Sequence, residues 1–132
     1  KCSNKVYIDR SDSKFSHFKI YNQKNIIEYL KKKGFTTYKL SKLNIFKQIY
    51  LFNSAKVILG PHGAGFANLS FCKPKTNVYE ILTKKESDRP AIKTICKHLK
   101  IKHTKIVTSS VRDQKNSLFN LFVDLNKIKK MF

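Results

Sequence analysis

The densest chemistry in the sequence lies in six consecutive residues, Gly60, Pro61, His62, Gly63, Ala64 and Gly65. A short apolar run, Val57, Ile58 and Leu59, precedes them, and Phe66, Leu69 and Phe71 follow with helical character. Over residues 55–71 this pattern predicts a buried strand, a tight glycine loop and the first turn of a helix. Backbone N–H groups at the head of a helix have no partner within it, and the helix dipole adds partial positive charge there. A phosphate fits such a place. Gly63 and Gly65 hold no side chain between backbone and ligand and tolerate positive φ. A plain tight turn would use the same glycines, and the spacing matches neither common phosphate fingerprint.

Other residues could join this loop. Arg10 and Ser11 leave the first expected strand at its C-terminal end, where an arginine fork suits a phosphate or carboxylate. Pairing of Arg10 with Asp9 or Asp12 on the surface is the competing reading. His62 can donate to a phosphate oxygen or, when neutral, take a proton. With no carboxylate partner near it in sequence, it reads first as a binding or loop residue. Asn68, one turn into the helix, would face back to the loop or bond locally. Glu80 interrupts an apolar strand at the ligand edge, where a carboxylate accepts hydroxyl hydrogens from a ribose or merely marks the strand end. No GxSxG, HExxH or paired-carboxylate motif is present, which removes support for a hydrolase.

These residues need elements to position them. Strands are expected at residues 5–9, 35–40, 55–59, 77–82 and 101–107. Helices are expected at residues 22–33, from Ser41 as N-cap through 52, from 64 to 71, at 88–99 and at 116–132. Gly34 stands where a helix stop prefers glycine. Residues 10–16 read as a polar loop, and 73–76 as a turn. Strict alternation predicts a parallel α/β sheet of about five strands, with right-handed crossovers and helices on both faces. Ligands of such sheets bind at the C-terminal strand ends, the edge that carries Arg10, His62 and Glu80.

With 132 residues the chain suffices for one domain with a real core, and 41% hydrophobic residues argue against disorder. It starts without Met, which reads as a fragment or processed piece. No apolar run reaches the ~18 residues of a membrane span. The formal net charge is +20, but only Arg10, Arg89 and Arg112 are arginines. The remaining basic residues are scattered lysines in a chain rich in Asn and Ile, as an AT-rich genome would produce. Composition bias therefore stands ahead of a nucleic-acid partner, which would draw more on arginine. A polyanion-binding module is the alternative. Cys2, Cys72 and Cys96 show no metal-ligand spacing and fit free thiols in a reducing compartment, so a structural zinc is not expected.

An ordered series of residues then resembles one family. It comprises residues 6–12, Asn22-Gln23, Gly34-Phe35, Gln48-Ile49, Leu51-Phe52, residues 55–68 and Val78-Tyr79-Glu80-Ile81. The series resembles the C-terminal region of glycosyltransferase family 61, which includes plant xylosyl- and arabinosyltransferases and animal O-linked N-acetylglucosaminyltransferases. Asp9, Gln23, Lys47 and Phe66-Ala67 depart from the residues usual there. The resemblance implies the Rossmann-like, nucleotide-sugar-binding half of an inverting GT-B enzyme, spanning residues 1–132, with an N-terminal domain still to be supplied. It implies a UDP-sugar donor, a glycan or protein hydroxyl as acceptor, and no metal cofactor. Arg10 and His62 would be catalytic. Arg10, Ser11, Gly60, His62, Gly63, Ala64, Gly65, Asn68 and Glu80 would bind the donor, with Glu80 on the ribose. The chain is expected in the cytoplasm, also at the inner face of a membrane as a peripheral protein, or in the ER or Golgi lumen of a eukaryote. A non-catalytic Rossmann-like domain is the further alternative.

Overall fold

Alternation of buried side chains builds the centre of the molecule. In the computed structural model, which describes residues 3–12, 18–112 and 119–132, strand β1 (Lys5–Ile8) sends Val6 and Ile8 to one face and Tyr7 to the other. Strand β4 (Val57–Pro61) does the same with Ile58 and Leu59. Strands buried on both faces read as continuous apolar runs, the mark of a sheet covered on both sides.

The remaining elements are β2 (Phe18–Ile20), α1 (Gln23–Lys32), β3 (Thr36–Tyr38), α2 (Ile45–Ser54), β5 (Asn77–Thr83), α3 (Lys84–Ser87), α4 (Ala91–His98), β6 (Lys102–Arg112), β7 (Phe119–Phe122) and α5 (Leu125–Lys129). Two 3-10 helices, Leu40–Lys42 and Ala64–Phe71, complete the described chain. The sheet has seven strands in the order β2-β7-β6-β5-β4-β1-β3, parallel except for the antiparallel β6–β7 pair. Helices α2 and α4 and the 3-10 helix Ala64–Phe71 cover the face of Ile58 and Val78, while α1 and α5 cover the face of Leu59 and Ile81. From β1 the chain builds outward first to β3 and then, on the other side, to β4. The crevice at that reversal lies outside the carboxyl ends of β1 and β4, where Arg10 and His62 emerge.

Several expectations need correction. Five strands become seven. The C-terminal helix over 116–132 is replaced by β7 and the short α5; residues 116–118 lie outside the described part, as do Cys2 and residues 13–16 of the polar loop. Leu118, Leu121, Phe122, Leu125 and Ile128 fit a helical period, but the long strand β6 offers an open edge, and pairing there overrides a short ambiguous apolar run. Asn22 secures the result: its amide donates to Val123 O at 2.7 Å, and its oxygen accepts from Val123 N at 3.1 Å.

The strand over 35–40 shortens to Thr36–Tyr38 and turns into a 3-10 helix that contains Ser41. The cap of α2 is Asn44, whose oxygen accepts from Lys47 N at 2.9 Å. Leu51 and Phe52 are its buried residues, while Ile45, Phe46 and Tyr50 stay exposed. The helix expected over 88–99 shortens to α4, which begins only after Pro90, a residue that cannot donate within a helix, and the separate short helix α3 precedes it. Gly34 does end α1, at φ +81°.

Candidate active site

Parallel register carries the key side chains to one place. Gly60 pairs with Glu80 and Glu80 with Lys105, while His103 pairs with Val78 two residues earlier. Residues two apart share a face, so Gly60, His62, Glu80 and His103 all turn toward α4 and the 3-10 helix Ala64–Phe71. His62 extends the ladder, with its N–H on Ile81 O at 2.7 Å.

Glu80 is 1% exposed. Its Oε1 lies 2.5 Å from His62 Nδ1 and its Oε2 lies 2.7 Å from His103 Nε2. Burial alone would raise this carboxyl, but hydrogen bonds from His103 and His62 and their charge outweigh it and hold it down to about 2. An ionised carboxylate accepts and never donates, so both imidazole nitrogens are the donors. The carboxylate partner that His62 lacks in sequence is therefore Glu80, across two strands. The expected ribose contact of Glu80 would share lone pairs that two imidazoles already use.

Gly63, at φ +151°, precedes the 3-10 helix Ala64–Phe71. Phe66 N–H donates to Gly63 O at 2.9 Å, so the N–H groups of Gly63, Ala64 and Gly65 precede the internal ladder. The Arg10 guanidinium lies against the Gly63 backbone and donates to the carbonyl oxygen of His62. A Cβ at Gly63 would overlap it. Burial lowers the Arg10 pKa, opposed by Glu86 and Asp12, and an arginine keeps its charge nonetheless.

Asp9 anchors this corner. Its Oδ1 accepts from Ser11 N at 2.8 Å and from Gln23 Nε2 at 2.9 Å. The Ser11 amide is thus committed to Asp9, which leaves the hydroxyl of this exposed residue for a ligand. Gly60 serves packing: a Cβ there would lie 3.0 Å from Ile8 Cβ. Gly65 likewise faces Leu40, at 2.9 Å from its Cδ1. Asn68 bonds locally, donating to Gln48 Oε1 at 3.0 Å and Gly65 O at 3.2 Å, and so ties the 3-10 helix to α2.

Two recesses flank the loop. One of about 310 Å³ is lined by His62, Gly63, Ala64, Glu80, Arg89 and Lys105 among others, and closed by Ile92 and Ile95 of α4. The other, about 110 Å³, lies between Arg10, Ser11, Gln23 and Pro61. His62, the loop residues Gly63 and Ala64, Arg89 and Lys105 thus border the larger of the two recesses, and Arg10 borders the smaller. His103, Lys105 and Arg89 were absent from the residues singled out in sequence. The register of β6 on β5 brings His103 and Lys105 in, and no spacing within the strand announces it.

The crevice lies at the topological switch of a mostly parallel α/β sheet, the edge at which sheets of this class bind their ligands. The family model for glycosyltransferase 61 matches residues 1–79, and the chain belongs to that family. No curated protein matches it. The matched part ends just before Glu80, so the carboxylate and His103 lie beyond it.

Proposed function

We propose that this chain binds the nucleotide sugar of an inverting glycosyltransferase of GT-B architecture. The observation that carries this reading is the Arg10 guanidinium seated over Gly63 at the head of the 3-10 helix Ala64–Phe71, with Arg10 lining the 110 Å³ recess on one flank of the loop and Gly63 the 310 Å³ recess on the other. Arg10, the Ser11 hydroxyl and the N–H groups of Gly63, Ala64 and Gly65 hold the diphosphate. The recess under α4 takes the sugar, with its anomeric carbon toward His62 and room left for the acceptor hydroxyl. Fixed donors around a departing nucleoside diphosphate stabilise its charge as the anomeric bond breaks, and need no metal to do so. A second α/β unit closes the cleft and brings the acceptor, a glycan or protein hydroxyl, to the mouth of that recess.

Calorimetric titration with UDP tests the site. Wild type should bind, Arg10→Ala should lose about tenfold or more, and Gly63→Val should lose at least as much, because its side chain displaces Arg10. Equal affinity in all three proteins would refute the site. The net charge of +20 favours a second reading, non-specific polyanion binding. That reading predicts a random oligonucleotide bound more tightly than UDP, with affinity falling steeply as salt rises.

A further inference from the structure

The geometry points to His62 as the general base of this enzyme, with Glu80 and His103 as the residues that position it. This assignment rests on the transferase reading and supplies the proton acceptor that reading needs. With Nδ1–H donating to Glu80 Oε1, a neutral His62 offers only the lone pair on Nε2, at the opposite edge of the ring. A lone pair meets the hydrogen of a hydroxyl and repels an unprotonated phosphate oxygen. The ring lines the 310 Å³ recess and its side chain is 19% exposed, so a substrate hydroxyl has access. Among the described residues no hydrogen bond occupies Nε2.

His103 completes the arrangement from behind. Its Nε2–H holds Glu80 Oε2 at 2.7 Å, and its side chain is only 9% exposed. A carboxylate gripped at both oxygens cannot rotate, so the imidazole bonded to it keeps one tautomer and one orientation. A carboxylate orients a catalytic histidine in the same way in serine hydrolases. In the reaction, Nε2 takes the proton of the acceptor hydroxyl. The freed oxygen pair forms the new bond to the anomeric carbon, and the old carbon–oxygen bond leaves its electron pair on the nucleoside diphosphate. Glu80 then stabilises the imidazolium.

The test combines nitrogen-detected NMR of the imidazoles with hydrolysis of UDP-xylose and UDP-N-acetylglucosamine, water standing in for the acceptor. In wild type, the neutral His62 ring should carry its proton on Nδ1, hydrogen-bonded, with Nε2 bare. His103→Leu should shift that Nδ1 proton, and His103→Gln, which can still donate to Glu80, should restore it. Donor hydrolysis should fall about a hundredfold in kcat for His62→Gln. It should fall about tenfold for His103→Leu, with KM within about twofold and most activity recovered in His103→Gln. A proton on Nε2 in wild type, or His62 signals and kcat untouched by His103→Leu, would overturn the assignment. If wild type binds no UDP, the transferase reading fails and the base role with it. The imidazole signals still decide whether His103 positions His62.

Discussion

At the scale of single residues, Glu80 concentrates the energetics of the site. A carboxylate removed from water is costly unless its oxygens are matched, and here two imidazoles match them. Its folded-state value of about 2 lies below the ordinary 4.5, so the unfolded chain takes up the proton first as pH falls. The stabilisation is therefore complete above pH 4.5 and disappears as pH drops toward 2, a difference on the order of 3 kcal/mol. Urea midpoints should decline across that window in wild type. In Glu80→Gln the decline should be shallower, from a neutral-pH stability lower by about 1–3 kcal/mol. Parallel curves would show that Glu80 does not bear this load.

At the scale of elements, the crevice depends on short segments fixed at their ends. Asn44 satisfies an amide at the head of α2, and the buried Leu51 and Phe52 of that helix pack with Phe66 and Leu69 of the 3-10 helix that begins at Gly63. Asn44→Ala should cost about 1 kcal/mol, read as a lower thermal midpoint. Because Asn44 lines neither recess beside the glycine loop, UDP affinity should stay within about twofold; a large loss would mean that α2 and the glycine loop move together. A similar end contact holds α3, where Thr83 and Glu86 form a reciprocal capping box: Glu86 Oε2 accepts from Thr83 N at 2.9 Å. That box sets the floor of the larger recess, since Glu86 lines it.

For the whole molecule, charge is the dominant variable. Among the described residues few cations are paired with carboxylates: Lys39 approaches Asp9 at 3.8 Å, and the other ion pairs are those of Glu80. A net charge of +20 repels itself in the compact state, and salt screens that repulsion beyond ~10 Å at 0.1 M. The thermal midpoint should therefore rise as salt increases from about 10 mM to about 150 mM. A flat or falling midpoint would show that local pairing, not net repulsion, governs stability. Among the described residues no helix is long and apolar enough to cross a membrane.

Local sequence determined much of this protein. Short apolar runs marked β1, β4 and β5, Gly34 marked the end of α1, and the glycine run at the end of β4 marked the loop where Arg10 and His62 now meet. These features were legible because their causes lie within a few residues: an apolar run of strand length, a positive φ, an apolar strand that breaks into glycine. Tertiary structure alone decided the rest. β2 and β7 exist because neighbouring edges accept them, although the second had a helical period of its own. The pairing of His62 with Glu80 and His103 depends on three strands in register, with partners 18 and 23 residues apart. Register is set by packing across the whole sheet, so chemistry assembled from three strands stays invisible until the sheet has formed.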